Sequence, residues 1–240
     1  QISDELSELL KYGLEYSLLS NGSFDITIEP LSSLWDFKAK ETKVPDINLI
    51  NDAVKKVDYK NVKLEGNIIT LENDDTRIEV GAIAKGYIAD KVKDYLLEQG
   101  VERAIIDLGG NILCIGGKKD SMPFKIGIQK PFAGHNEVIA TMDITDMSVV
   151  TAGIYERYFI EDDKIYHHIL NPVTGYSYDN NLLSVTIISA SSLDADALAT
   201  ICFTLGVEEG IQLVNSIENT HAIFISKDYK FHYSEGFHDD

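Results

Sequence analysis

The sequence predicts a mixed α+β fold, built mainly of antiparallel sheets flanked by helices. Three observations carry that reading. Apolar residues recur at helical spacing in several stretches, beginning with Leu6, Leu9, Leu10 and Leu14. Between such stretches lie short β-branched or alternating runs bounded by Gly, Asn and Pro, the pattern of strands joined by tight turns. No internal repeat, low-complexity tract or clean linker divides the 240 residues, and their 44% hydrophobic content suffices for one large domain or two intimately packed lobes.

In chain order, Ser3 can cap a helix with an acidic first turn, Asp4-Glu5, that ends near Asn21-Gly22. Residues 24–28 alternate like a strand, with Asp25 and Thr27 opposite Phe24, Ile26 and Ile28. Trp35, the single tryptophan, is expected in the core. Ile47, Ile50, Val54 and Val57 mark a short amphipathic helix, and strands around 62–64 and 68–71 flank Glu65-Gly66-Asn67 as a hairpin. Residues 79–87 lead into a helix that runs to about Glu98 and stops at Gly100. Strands are predicted over 103–108, 112–115, 124–129 and 138–144, the first closing on the turn Gly109-Gly110-Asn111. Residues 148–158 run from a β-branched strand through a small turn into another strand. An alternating strand follows at 183–189, then a helix from Asp194 to Gly206, a helix at 207–217, strands at 221–226 and 229–233, and an acidic tail.

Net charge narrows the function. At −18 the surface repels a phosphate backbone, so nucleic acid is excluded as a partner. An anionic ligand must be held locally, by a metal, a lysine or backbone N–H groups. Cys114 and Cys202 lie in apolar runs and read as core thiols rather than a disulfide. No apolar run reaches membrane-spanning length and no signal peptide is visible. The chain opens inside a helix without Met, which reads as a trimmed chain.

Three stretches carry chemistry. Tyr166-His167-His168-Ile169-Leu170-Asn171-Pro172-Val173-Thr174-Gly175 places two imidazoles at a strand end before an Asn-Pro turn, a way to present a general base. Adjacent strand residues face opposite ways, so only one of the two histidines can face a given site. The alternative is a half-buried strand whose histidines only hydrogen-bond. Gly81-Ala82-Ile83-Ala84-Lys85-Gly86 puts small residues and a lysine at a helix start, where unpaired N–H groups favour anions; helix packing also calls for small residues there. Asp196 and Thr200, four apart on a helix, share a face and suit a hard cation such as Mg²⁺; the alternative is a capping Asp and a Thr bonded to its own helix.

Together these residues carry a resemblance. Gly22-Ser23-Phe24-Asp25-Ile26-Thr27 with Pro30-Leu31 and Leu34-Trp35, the Gly81–Gly86 stretch, and Asp107-Leu108-Gly109-Gly110-Asn111 resemble the ApbE family of FAD:protein FMN transferases. Thr151-Ala152-Gly153-Ile154-Tyr155-Glu156-Arg157, the histidine stretch and Ala195-Asp196-Ala197-Leu198-Ala199-Thr200 fit it as well, in order along nearly the whole chain. The family has Asp more often at Asn171 and Glu79, Arg at Val173, and a Ser and a polar residue at Ala152 and Ile154.

The resemblance implies a single ApbE-like domain over 1–240, lacking the family's N-terminal FAD-contacting segment, with the site in a cleft between two interlocked lobes. It implies Mg²⁺-dependent transfer of FMN from FAD to a Thr or Ser of an acceptor flavoprotein, with release of AMP. Metal ligands fall on Asp196, Thr200 and the Ala82 carbonyl; flavin-contacting positions fall on Phe24, Asp25, Ile26, Glu79, Lys85 and Ile169; the base falls on His168. Family members face membrane-bound flavoproteins, so an extracytoplasmic, lipid-anchored parent protein is expected, and homodimerisation stays open. FAD pyrophosphatase activity and non-catalytic flavin carriage are the alternative functions.

Overall fold

The computed structural model describes residues 1–134 and 137–236, so the acidic end of the chain, Asp239-Asp240, lies outside them. The chain divides into two compact units, residues 1–81 with 154–180, and residues 82–153 with 181 onward. Among the described residues there are six α-helices and twelve strands. The first unit opens with α1 (Asp4–Leu19), α2 (Glu29–Trp35), α3 (Ile47–Val54) and a hairpin of β1 (Val62–Glu65) and β2 (Ile68–Leu71). The second unit begins with α4 (Ala84–Glu98), followed by β3 (Ala104–Asp107), β4 (Ile112–Ile115), β5 (Phe124–Gln129), β6 (Val138–Ile144) and β7 (Ser148–Gly153). The chain returns to the first unit for the hairpin of β8 (Tyr158–Glu161) and β9 (Lys164–His167). It then completes the second with β10 (Leu182–Ser189), α5 (Ser192–Leu205), α6 (Val207–Asn215), β11 (Thr220–Ser226) and β12 (Phe231–Tyr233).

The first unit is built around Leu31, Trp35, Ile50, Ala53, Phe159 and Leu170. Trp35 stacks on Phe37 with ring centroids 5.8 Å apart, and its indole N–H donates to the Gly175 carbonyl at 2.7 Å. The core placement expected of the tryptophan is thus met, and its polar edge is satisfied. Gly175 has φ +74°, and a Cβ there would lie 2.4 Å from Ile50 Cγ2, so the turn after His168 is pinned onto this core.

Residues 24–28 are not the strand their alternation predicts. Asp25 Oδ1 accepts from the Thr27 N–H at 2.7 Å and the Thr27 hydroxyl at 2.6 Å, while Oδ2 accepts from the Tyr59 N–H at 2.9 Å. These local side-chain bonds take up the backbone that a ladder would have used. Directly after them comes α2, which the alternation hid; its start carries Glu29 and Pro30, both suited to a first turn.

In the second unit, one antiparallel sheet runs β12-β11-β10-β7-β4-β3. Its central strand β10, the strand expected at 183–189, is buried at all eight positions. Strands flank β10 on both sides and α5 packs against it, so even Ser184, Thr186 and Ser189 lie inside. Thr186 is satisfied by a 2.8 Å bond with Thr151 across the ladder. Cys114 and Cys202 are buried free thiols, pushed up to about 11 and about 12 by burial, as expected of core residues. Among the described residues no helix is long and apolar enough to cross a membrane.

Candidate active site

The first unit holds Phe24, Asp25, Ile26, Glu79, His168 and Ile169. Phe24, Asp25 and Ile26 are buried, and the Glu79 N–H donates to the Ile26 carbonyl at 2.7 Å, which ties Glu79 to that loop. The Glu79 carboxylate also accepts from the Ser32 hydroxyl. Burial pushes the Asp25 carboxyl up from its ordinary value, against the pull of its Thr27 and Tyr59 donors. With both oxygens engaged, Asp25 fixes the loop that carries the buried Phe24 and Ile26.

His168 follows the end of β9, its N–H donating to the Arg157 carbonyl at 3.2 Å. The two histidines have different fates. His167 is buried, and its Nε2–H donates to the Tyr178 carbonyl at 2.9 Å; His168 is half-buried. The Ser177 hydroxyl accepts from the His167 N–H at 2.7 Å and donates to the His167 carbonyl at 2.6 Å, doing for β9 what a neighbouring strand would. Asn171 Oδ1 accepts from the N–H groups of Val173 and Thr174, and the Tyr178 N–H donates to the Ile169 carbonyl at 3.0 Å. The Tyr178 hydroxyl donates to the Ser23 carbonyl at 3.2 Å, so the histidine strap and the Phe24–Ile26 loop are tied together.

The second unit holds Ala82, Lys85, Asp196 and Thr200. Helix α4 starts from Ile83 without a side-chain cap, and the Gly86 N–H in its first turn donates to Asp196 Oδ2 at 2.9 Å. Asp196 is 6% exposed. Burial pushes its carboxyl up to about 6, against the charge of Lys85, the Gly86 N–H and the Asn111 amide. Thr200 stands one turn along α5 from Asp196 and is half-buried. Asp196 offers a buried carboxylate and Thr200 a hydroxyl one turn along the same helix. These are hard oxygen donors, and they fit Mg²⁺ better than a softer ion. Among the described residues no cluster of three His, Cys, Asp or Glu side chains exists for a protein-only metal cage.

Gly86 has another role. A Cβ on it would lie 2.2 Å from the Ser192 carbonyl oxygen, so the glycine lets α4 and α5 touch. Of the two readings of the small-residue stretch, helix packing accounts for this position.

The sequence matches the ApbE family model over residues 1–224. The chain belongs to the ApbE family. Among its relatives, the FAD:protein FMN transferase of Klebsiella pneumoniae (strain 342) is 40% identical over 228 residues, covering 94% of this chain and 70% of that protein. The Treponema pallidum FAD:protein FMN transferase is 32% identical over 250 residues, covering 98% and 69%. The ApbE protein of Thermotoga maritima superposes with a TM-score of 0.88 at 30% identity, over 98% of this chain and 77% of that one. The flavin transferase ApbE of Vibrio cholerae does so with a TM-score of 0.85 at 29% identity, over 98% and 76%. The mixed α+β architecture with antiparallel sheets is therefore the ApbE fold.

Sequence reasoning passed over Asp90, Ser177 and the Ser148–Ser192 pair. Asp90 left one sign, its position four residues after Gly86 on one helix face. Ser177 left none, because its bonds to His167 depend on how the loop closes.

Proposed function

We propose that this chain is an FAD:protein FMN transferase that works with Mg²⁺ and joins FMN to a Thr or Ser hydroxyl of an acceptor flavoprotein, releasing AMP. The observation that carries the reading is Asp196. It is a buried carboxylate with a raised pKa, held by a helix N-terminal N–H beside Lys85 and one turn from Thr200, in a family whose relatives bear this activity by name.

Asp196, Thr200 and the Ala82 carbonyl would hold Mg²⁺, with Oδ2 of Asp196 also accepting from the Gly86 N–H. When bound, Mg²⁺ neutralises charge on the diphosphate and leaves its remaining positions to substrate oxygens and water. Lys85 adds positive charge for the same diphosphate, in a molecule whose net charge repels it. Phe24, Ile26 and Ile169, all buried, stand at the flavin-contacting positions, and the Glu79 N–H holds the Phe24–Ile26 loop. His168 takes the proton of the acceptor hydroxyl. The hydroxyl oxygen bonds to the flavin-side phosphorus, the bond from that phosphorus to the bridging oxygen breaks, and AMP leaves with that oxygen. Little covalent chemistry is required of the protein, since phosphoryl transfer is mostly positioning and charge compensation.

The test is to incubate the protein with FAD, Mg²⁺ and a Thr-bearing acceptor peptide, following peptide flavinylation and AMP together. Label and AMP in equal amounts are expected. AMP without label would make the chain an FAD pyrophosphatase, and FAD bound but uncleaved would make it a carrier.

A further inference from the structure

We propose that Asp90 is a positioning residue for the metal-holding face of α5, keeping that helix seated on α4 so that Asp196 stays bonded to the Gly86 N–H. The inference rests on the Mg²⁺ reading above for its consequence, though not for its geometry.

A helix start leaves its first N–H groups without partners in the helix. In α4, Asp196 takes the Gly86 N–H from across the helix pair. In α5, the N–H groups of Ser192 and Leu193 donate to Asp90 Oδ1 and Oδ2, both at 2.9 Å, and the Ser191 hydroxyl donates to Oδ2 at 3.3 Å. Each helix therefore caps the first turn of the other with a carboxylate. Gly86 and Asp90 stand four apart on α4, so the tight contact at Ser192 and the Asp90 cap lie on one face.

The seat is reinforced from the sheet. Ser192 Oγ donates to Asn111 Oδ1 at 2.8 Å, and Ser148 Oγ donates to Ser192 Oγ at 2.9 Å. Ser192 is thus held through its backbone by Asp90 and through its side chain by β7 and the turn before β4. One turn further along the same rigid helix stands Asp196. Where its carboxylate falls relative to Gly86 depends on how far α5 sits along α4, and Asp90 grips α5 at the point nearest its origin. Asp90 acts through Asp196, at one remove from any ligand.

The experiment uses the whole chain with Asp90→Ala and the milder Asp90→Asn, which keeps one acceptor oxygen. In metal-free buffer, amide hydrogen exchange at Gly86 should quicken roughly tenfold or more in Asp90→Ala and less in Asp90→Asn, while β10 amides keep wild-type rates. Unchanged exchange at Gly86 in both variants overturns the proposal. With FAD present, calorimetric Mg²⁺ titration should show half-saturation raised about tenfold in Asp90→Ala, and kcat at saturating Mg²⁺ should recover to within a few-fold of wild type. A fall in kcat at unchanged Mg²⁺ half-saturation marks a general structural role and also overturns it. Should the wild type itself take up no Mg²⁺ with FAD, the transferase reading fails, and exchange at Gly86 still decides whether Asp90 couples the helices.

Discussion

Replacing Gly86 by alanine sets two effects against each other. In an exposed helix interior the change would stabilise by up to about 1 kcal/mol, because glycine carries the larger backbone entropy. Here the new Cβ would sit 2.2 Å from the Ser192 carbonyl oxygen, 2.6 Å from its carbon and 2.8 Å from the Leu193 Cα, all of them backbone. No side-chain rotation relieves that contact. The helices must part by about 1 Å, at the place where both reciprocal caps are made. Overpacking of this kind costs about 1–3 kcal/mol, and stretching the caps adds to it. The net loss is about 1–2 kcal/mol, which for a chain of this size lowers Tm by about 2–8 °C. Because the same shift carries Asp196 away from Gly86, transfer at fixed Mg²⁺ should fall by up to about 10²-fold. Thermal unfolding and peptide flavinylation measured on one preparation check both numbers. A Gly86→Ala protein that melts at or above wild type and transfers at the wild-type rate would refute the close contact of α4 with α5.

Further outcomes are expected at Asp196, at the two histidines and at Lys85. The Asp196 carboxyl, pushed up to about 6 by burial, binds its proton more tightly folded than unfolded, so its contribution to stability is full below about pH 4 and lost as pH rises through 6. In chelator, Asp196→Asn should therefore exceed wild type by up to about 3 kcal/mol at pH 7.5 and by almost nothing at pH 4 in urea unfolding, with Mg²⁺-supported transfer abolished; an equal difference at both pH values refutes the assignment. His168→Ala should lose roughly 10²–10⁴ in transfer rate with FAD binding nearly intact. His167→Ala should instead lose about 1–3 kcal/mol of stability, because it strips a buried donor from the Tyr178 carbonyl; a folded but inactive His167→Ala beside an active His168→Ala would reverse the two roles. Lys85→Met should weaken FAD binding most at low salt and push the Asp196 carboxyl higher, since Lys85 is the leading influence that lowers it; fluorescence titration across ionic strength reads the first effect, and unchanged low-salt affinity counts against Lys85.

Much of this protein was decided by sequence alone. Helical spacing and turn residues are local signals, so α1, the β1–β2 hairpin, β4, β5 and β6 could be placed from them closely. The pair Asp196 and Thr200 was legible because i, i+4 spacing puts two side chains on one helix face wherever the helix packs. The divergence of His167 and His168 was legible from strand alternation. Residues 24–28 misled because alternation measures which side chains are apolar and is blind to a carboxylate that takes its own backbone as partner. The burial of β10 on every position and the hydroxyl strap of Ser177 on His167 arise from elements distant in the chain. So does the exchange of caps between Asp90 and Asp196. Separation along the chain hides such partners from any local pattern, and packing alone places a buried carboxylate opposite an N–H more than a hundred residues away.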